Sequence, residues 1–159
     1  MAREENSRRL QRSPIHLLHR AGQCAGEVFH AEIGEGDLTP RQLAVLVTVA
    51  QTEGLSQTGI VERTGIDRST LADLVKRLQK KGLLQRRRTR EDARAYAVKL
   101  TDEGRRMLRS AEPLAKRVDQ RILDALPSKE RERFIDALVS IVDTLQDLSS
   151  SSSAQSSTT

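Results

Sequence analysis

Between Ile66 and Gly104 the hydrophobic period of the chain changes twice, and that change constrains the fold more than any other feature. Leu71, Leu74, Val75 and Leu78 stand at i, i+3, i+4 and i+7, the buried stripe of a helix that Asp67 can cap and Lys81-Gly82 can end. LLQRRR then alternates loosely, TREDAR forms a polar turn, AYAVKL returns as a second strand, and Thr101 stands where another helix can start. Upstream, SQTGIVERTGI reads as a short helix from about Gln57 to Thr64 followed by a glycine turn. Two short helices joined by a tight turn make a helix-turn-helix, and the hairpin after them makes a wing. The fold class that follows is mainly α with a small β-hairpin wing.

Charge is concentrated on the same stretch. From Arg63 to Arg94 there are eleven Lys or Arg against four Asp or Glu, a local excess of +7 in a chain whose total is +5. A charge run on a helix alone is as readily a solvated face. Here the helix, turn and strand share it, which points to an anionic polymer. Major-groove readers put the first turns of the recognition helix on base edges and later basic residues on the backbone. On that basis Arg68, Ser69, Thr70 and Asp73 are expected at base edges, and Lys76, Arg77 and Lys80 on phosphates. Asp73 fits only if it accepts from a cytosine amino group or orients an arginine, and the alternative is a solvated carboxylate. At the wing tip, Arg90 and Arg94 suit a narrow minor groove, and Asp92 is expected to orient them.

The rest of the chain reads as helices with unsatisfied faces. Only 36% of residues are hydrophobic, 2% are aromatic and Trp is absent, so part of the core is expected to lie between two chains. Residues 1–13 read as a flexible arm and 14–36 as a dimerisation helix, with Ser13 as its cap. Leu18, Ala21, Gly22, Ala25, Phe29 and Ile33 lie on its apolar arc. His16, His19, Gln23, Glu27 and His30 share the opposite arc. Such a stripe is ordinarily a solvated or interface face, and the sharper alternative is that His16, His19, Gln23 and His30 line a ligand. Residues 37–101 form the winged unit, opening on a capping box, Thr39-Pro40-Arg41-Gln42, before an apolar helix expected to be buried almost all round. Residues 102–148 read as two further dimerisation helices with Pro113 inside the first, and the Ser-rich end, 149–159, as disordered.

Several function classes recede on this reading. No run of about 18 apolar residues is present to cross a bilayer, and the first dozen residues lack a secretory h-region, so a cytoplasmic protein without membrane contact is expected. The single cysteine, Cys24, excludes an intramolecular disulfide and any multi-cysteine metal site. No metal ligand set, cofactor motif or catalytic constellation can be named, so an enzyme is the weakest reading.

The order of elements and the residues themselves resemble the MarR family of bacterial transcriptional regulators across roughly residues 14–148. DARAYAVKLTDEG is similar to the family wing pattern, D-x-R, a strand, then L-T-x-x-G, on Asp92, Arg94, Leu100, Thr101 and Gly104. TGIDRSTLADLVKRLQKKGLL is similar to its recognition helix, including Arg77, Leu78 and Gly82. The resemblance implies a homodimer in which the first and last two helices interlock, double-stranded operator DNA of pseudo-palindromic sequence, and a small anionic effector, often an aromatic carboxylate, that relieves repression. It also brings in a redox-sensing branch with one cysteine in the first helix; Cys24 is expected to be packed and unreactive, because Tyr96, the one tyrosine, belongs to the wing. The competing class is a basic helical RNA-binding or scaffolding protein without effector, disfavoured because the few aromatics do not cluster into a stacking platform.

Overall fold

The computed structural model describes residues 9–34, 38–52, 54–88 and 96–155, the last stretch by backbone alone from residue 150. The chain divides into two units, residues 1–118 and 119–159.

The first unit begins with α1, Pro14–Ile33, whose first turn is capped where His16 N donates to Ser13 Oγ and which ends at Gly34 with φ 103°. Residues 9–11, read from sequence as part of a loose arm, form a helical turn instead, and Ser13 N closes it by donating to the Leu10 carbonyl at 3.1 Å. Along α1 only Phe29 is buried; Ile15, Leu17 and Leu18 are exposed. The N-terminal half of the apolar arc is therefore uncovered in a single chain.

Helix α2, Pro40–Gln51, starts on the reciprocal box expected for it: Gln42 N donates to Thr39 Oγ1 at 3.2 Å and Thr39 N to Gln42 Oε1 at 3.1 Å. Leu43, Val45, Leu46 and Val49 are buried, whereas Ala44 and Ala50 are exposed, so one face of this helix meets solvent. Helix α3, Gln57–Thr64, ends at Gly65 in the left-handed region, φ 66°, where a side chain would be strained. Helix α4, Arg68–Lys80, closes with the Leu83 amide donating to the Leu78 carbonyl and the Gly82 amide to that of Gln79, both at 2.9 Å. This is the paired closure that favours glycine at Gly82, and it brings Leu83 back onto Leu78, both buried.

Strands β1, Leu84–Arg88, and β2, Tyr96–Leu100, pair antiparallel with Leu84 opposite Leu100, Arg86 opposite Val98 and Arg88 opposite Tyr96. On its other edge β2 is held by Val98 N donating to the Leu55 carbonyl at 2.8 Å, so the residues before α3 act as a one-bond third strand. The hairpin closes a core that includes Leu46, Ile60, Leu71, Val75, Leu78 and Val98, all fully buried. Each such side chain contributes about 1.5–3 kcal/mol by leaving water.

The L-T-x-x-G segment has a steric explanation. Leu100 is buried, and Thr101 Oγ1 accepts from Gly104 N at 3.0 Å while donating to the Gly82 carbonyl, which starts α5, Asp102–Leu123, directly off the wing. A Cβ on Gly104 would lie 2.1 Å from the Leu83 carbonyl oxygen, so only glycine fits there. Helix α5 continues through Pro113, buries Leu108, Ala111 and Val118, and is tied to α1 by Arg117 Nε donating to Glu32 Oε1 at 2.7 Å.

In the second unit the last turn of α5 gives way to a turn at Asp124. Arg131 organises this corner, reaching Asp124 Oδ1 at 3.0 Å and the Leu126 carbonyl at 3.2 Å. Helix α6, Ser128–Gln155, buries none of its residues through position 149 in the single chain. It runs on through the serine run where sequence suggests disorder; adding a residue to an existing helix costs far less than nucleating one, and serine only mildly opposes it. No described helix is long and apolar enough to cross a membrane.

Candidate nucleic-acid interface

The start of α4 is fixed by Asp67, whose Oδ1 accepts from Thr70 N at 2.9 Å and from Ser69 Oγ at 2.8 Å. Hydrogen bonds from the Thr70 side chain and amide, then from Ser69, hold this exposed carboxyl far below the usual carboxylate range. Ser69 therefore has its proton committed to the cap and offers its oxygen outward as an acceptor. Along α4, Ser69, Asp73, Lys76 and Lys80 are exposed at i, i+4, i+7 and i+11, a single outer ridge opposite the buried Leu71, Val75 and Leu78. Arg68 is exposed at the first turn, and Thr70 is half-buried on the flank together with the exposed Arg77. The ridge is continuous from the cap to the C-terminus, as a groove-reading helix requires.

The expected wing-tip residues, Arg90, Asp92 and Arg94, lie outside the described residues. Within the described strands the structure adds arginine contacts that local spacing does not reveal. Arg86 Nη2 donates to Gln57 Oε1, joining β1 to the first residue of α3. Arg88 sits over the Tyr96 ring, 5.9 Å from its centroid, with Nε 3.4 Å from the hydroxyl. Arg63, in the last turn of α3, donates to Thr52 Oγ1 at 2.7 Å. All three arginines are exposed. Tyr96 is the cross-strand partner of Arg88 and follows once the hairpin register is known, whereas Gln57 and Thr52 are neither helical nor strand neighbours of the arginines they hold, so for those two contacts the only sequence signal was the density of arginine itself.

Arg77 and Lys80 also belong to a second feature. With Lys81, His30, Leu38, Thr39 and Gln42 they line a cavity of about 550 Å³ between the C-terminal end of α1, the start of α2 and the end of α4. Its walls combine the buried Leu38 with three cations and an imidazole, a composition suited to a flat apolar body carrying a negative charge. His30 is half-buried, edge-on to Phe29 at 6.0 Å. The other members of the proposed ligand stripe are not brought there. His16 is half-buried near the α1 cap, His19 is exposed, and the exposed Gln23 donates to Glu27 at 3.4 Å. The stripe fails as a unit for a geometric reason: positions 16 and 30 on one helix are roughly 21 Å apart, longer than a small-molecule cavity.

Cys24, expected to be packed, is exposed, because the arc of α1 on which it lies is uncovered in one chain. Among the described residues no group of three or more His, Cys, Asp or Glu is placed to hold a metal. Phe29 is buried and Tyr96 is covered by Arg88, so neither offers a free stacking face.

Residues 36–95 match the sequence profile of the MarR family. The chain is 32% identical over 108 residues to the transcriptional regulator HosA of Escherichia coli O157:H7, spanning 68% of this chain and 80% of that protein. Among solved structures it is similar to the transcriptional regulator PcaV of Streptomyces coelicolor in complex with its natural ligand, with a TM-score of 0.80 and 35% identity over 84% of this chain and 94% of PcaV. It is also similar to the transcriptional repressor CouR bound to a 23-mer DNA duplex, with a TM-score of 0.76 and 30% identity over 84% of this chain and 95% of CouR.

Proposed function

The chain belongs to the MarR family of transcriptional regulators, and on that premise we propose that it is a cytoplasmic homodimeric repressor that binds a pseudo-palindromic operator and is released by a small anionic effector. The observation that carries the DNA-binding part is the capped, exposed ridge of α4 flanked by exposed arginines. In this reading Arg68, Ser69, Thr70 and Asp73 face base edges and Lys76 takes a phosphate. Arg77 and Lys80 sit where the DNA-facing ridge and the cavity meet. Arg90 and Arg94 enter the minor groove from the wing, with Asp92 orienting Arg94.

Support for the homodimer comes from α1 and α6, where Ile15, Leu17, Val139, Val142, Leu145 and Leu148 are all about half exposed or more in one chain. So many large apolar side chains in water favour association. Support for the effector comes from the cavity beside His30, and from PcaV, which is known with its natural ligand bound. Among the residues proposed from the stripe, His30 alone keeps a ligand-binding role.

The test is a titration of the purified protein with a duplex that it selects from a randomised pool, read by fluorescence anisotropy at several salt concentrations. Half-sites about one helical turn apart and a steep salt dependence are expected. Affinity that ignores salt would sink the proposal. Aromatic carboxylates added to the preformed complex should release the DNA, and Lys80→Ala together with His30→Ala should blunt that response.

A further inference from the structure

We propose that Gln57 is a positioning residue for DNA binding, holding Arg86 so that its guanidinium meets a backbone phosphate beside the groove that α4 enters. The inference rests on the DNA-binding reading above and adds a contact that lies in neither the recognition helix nor the wing tip. Its basis is the pair itself. Gln57 is the first residue of α3 and Arg86 the middle of β1, 29 positions apart, and they meet because the hairpin pairing and one further backbone bond bring their elements together. Val98 lies opposite Arg86 in the hairpin, and on its far side its amide donates to the Leu55 carbonyl, two residues before Gln57.

The choice of partner decides what the contact can do. A glutamine oxygen is neutral, so it fixes the direction of the guanidinium and leaves the whole positive charge on it. Arginine offers five donors in a planar fork, and the described partner uses one of its terminal nitrogens. Among the described residues no carboxylate forms an ion pair with Arg86. A carboxylate in place of Gln57 would hold the arginine more tightly and cancel its attraction for phosphate. Both side chains reach the surface, Arg86 exposed and Gln57 half-buried, so the pair adds little to the fold. An aimed, uncancelled charge at the junction of α3 and the wing is suited to an anion approaching from outside.

The alternative is that the pair merely stitches the wing to α3, and the two accounts differ in salt dependence. Arg86→Ala, Arg86→Lys, Gln57→Ala and the Gln57→Ala/Arg86→Ala double variant are titrated with the duplex selected by the wild-type protein, across a salt series, alongside thermal melts. A phosphate contact makes the log–log slope of Arg86→Ala shallower by about 0.9 per chain, keeps it near wild type in Arg86→Lys, and leaves the melting temperature nearly unchanged. Gln57→Ala removes no charge, yet is expected to weaken binding by on the order of tenfold or less, and to add nothing in the Arg86→Ala background. A wild-type slope in Arg86→Ala, or additive losses in the double variant, overturns the inference. Failure of the wild-type protein to select any duplex would instead overturn the DNA-binding reading itself, so the two failures are distinguishable.

Discussion

Arg63, Arg86 and Arg88 in the winged part of the chain are held by a threonine hydroxyl, a glutamine oxygen and a tyrosine ring. Arg106, Arg117 and Arg131, in α5 and α6, are held by Glu103, Glu32 and Asp124. The first set is oriented and keeps its charge; the second is oriented and neutralised. The regions differ in the opposite sense in apolar surface. The winged helices and hairpin bury Leu46, Ile60, Leu71 and Val98 completely, whereas Val142, Leu145 and Leu148 of α6 are 51%, 55% and 61% exposed. One region has finished its core and leaves its charge available, while the other has settled charges and an unfinished core. On the proposed reading, the difference separates a surface suited to a polyanion from surfaces suited to a second protein chain.

The comparison breaks most readily in the core. Leu71→Ala should cost about 2–5 kcal/mol of folding stability, since it opens a void in the centre of the winged unit; chemical denaturation measures it, and a loss under about 1 kcal/mol would mean that the core is not continuous there. Leu145→Asp should leave the winged unit folded and shift the dimer towards monomer at micromolar concentration. Sedimentation velocity gives the answer, and an unchanged dimer would remove α6 from the interface.

The charge half of the comparison is tested by a matched pair. Arg63→Ala should make the salt slope of operator binding shallower by about 0.9 per chain. Arg117→Ala should leave the slope alone and cost about 0–1 kcal/mol in stability, as expected for an exposed ion pair. Equal slopes in the two variants would dissolve the distinction between aimed and cancelled arginines.

The smallest effect concerns Asp67 and pH. Its carboxyl is depressed in the folded state by Thr70 and Ser69, so the stability it contributes is fully present above the unfolded value near pH 4 and is lost as pH falls through the folded value. Thermal melts of wild type and Asp67→Asn should therefore run parallel from pH 8 to about pH 4.5, with the wild type losing ground only in stronger acid. Divergence near neutrality would contradict the cap described here.

What could be read from the sequence was what depends on neighbours within four residues. The Thr39 and Asp67 caps, the turn at Gly65, the close at Gly82 and the stripe from Leu71 to Leu78 all follow from local spacing, and the structure has them where spacing puts them. What escaped depends on distant partners. Nothing near Gln57 announces Arg86, and nothing near Leu55 announces Val98. The histidine stripe shows what spacing leaves open: a shared arc is a statement about angle, and His16 and His30 differ in height along α1 by far more than a ligand spans. For Cys24 and Leu18 the sequence marked an apolar or packed arc, and one chain alone does not cover it.

The contact between Arg88 and Tyr96 has an optical consequence. Tyr96 is the one tyrosine and the chain has no tryptophan, so ultraviolet emission from the native protein originates almost entirely at the base of the wing. A guanidinium resting on that ring sets its local polarity and freedom of rotation, and both quantum yield and anisotropy respond to these. The unlabelled protein thus carries a spectroscopic probe on the β1–β2 hairpin of a largely helical molecule. Circular dichroism would follow the helices while tyrosine emission followed the hairpin, and any lag between the two signals on heating would time the wing's detachment separately from the collapse of the rest.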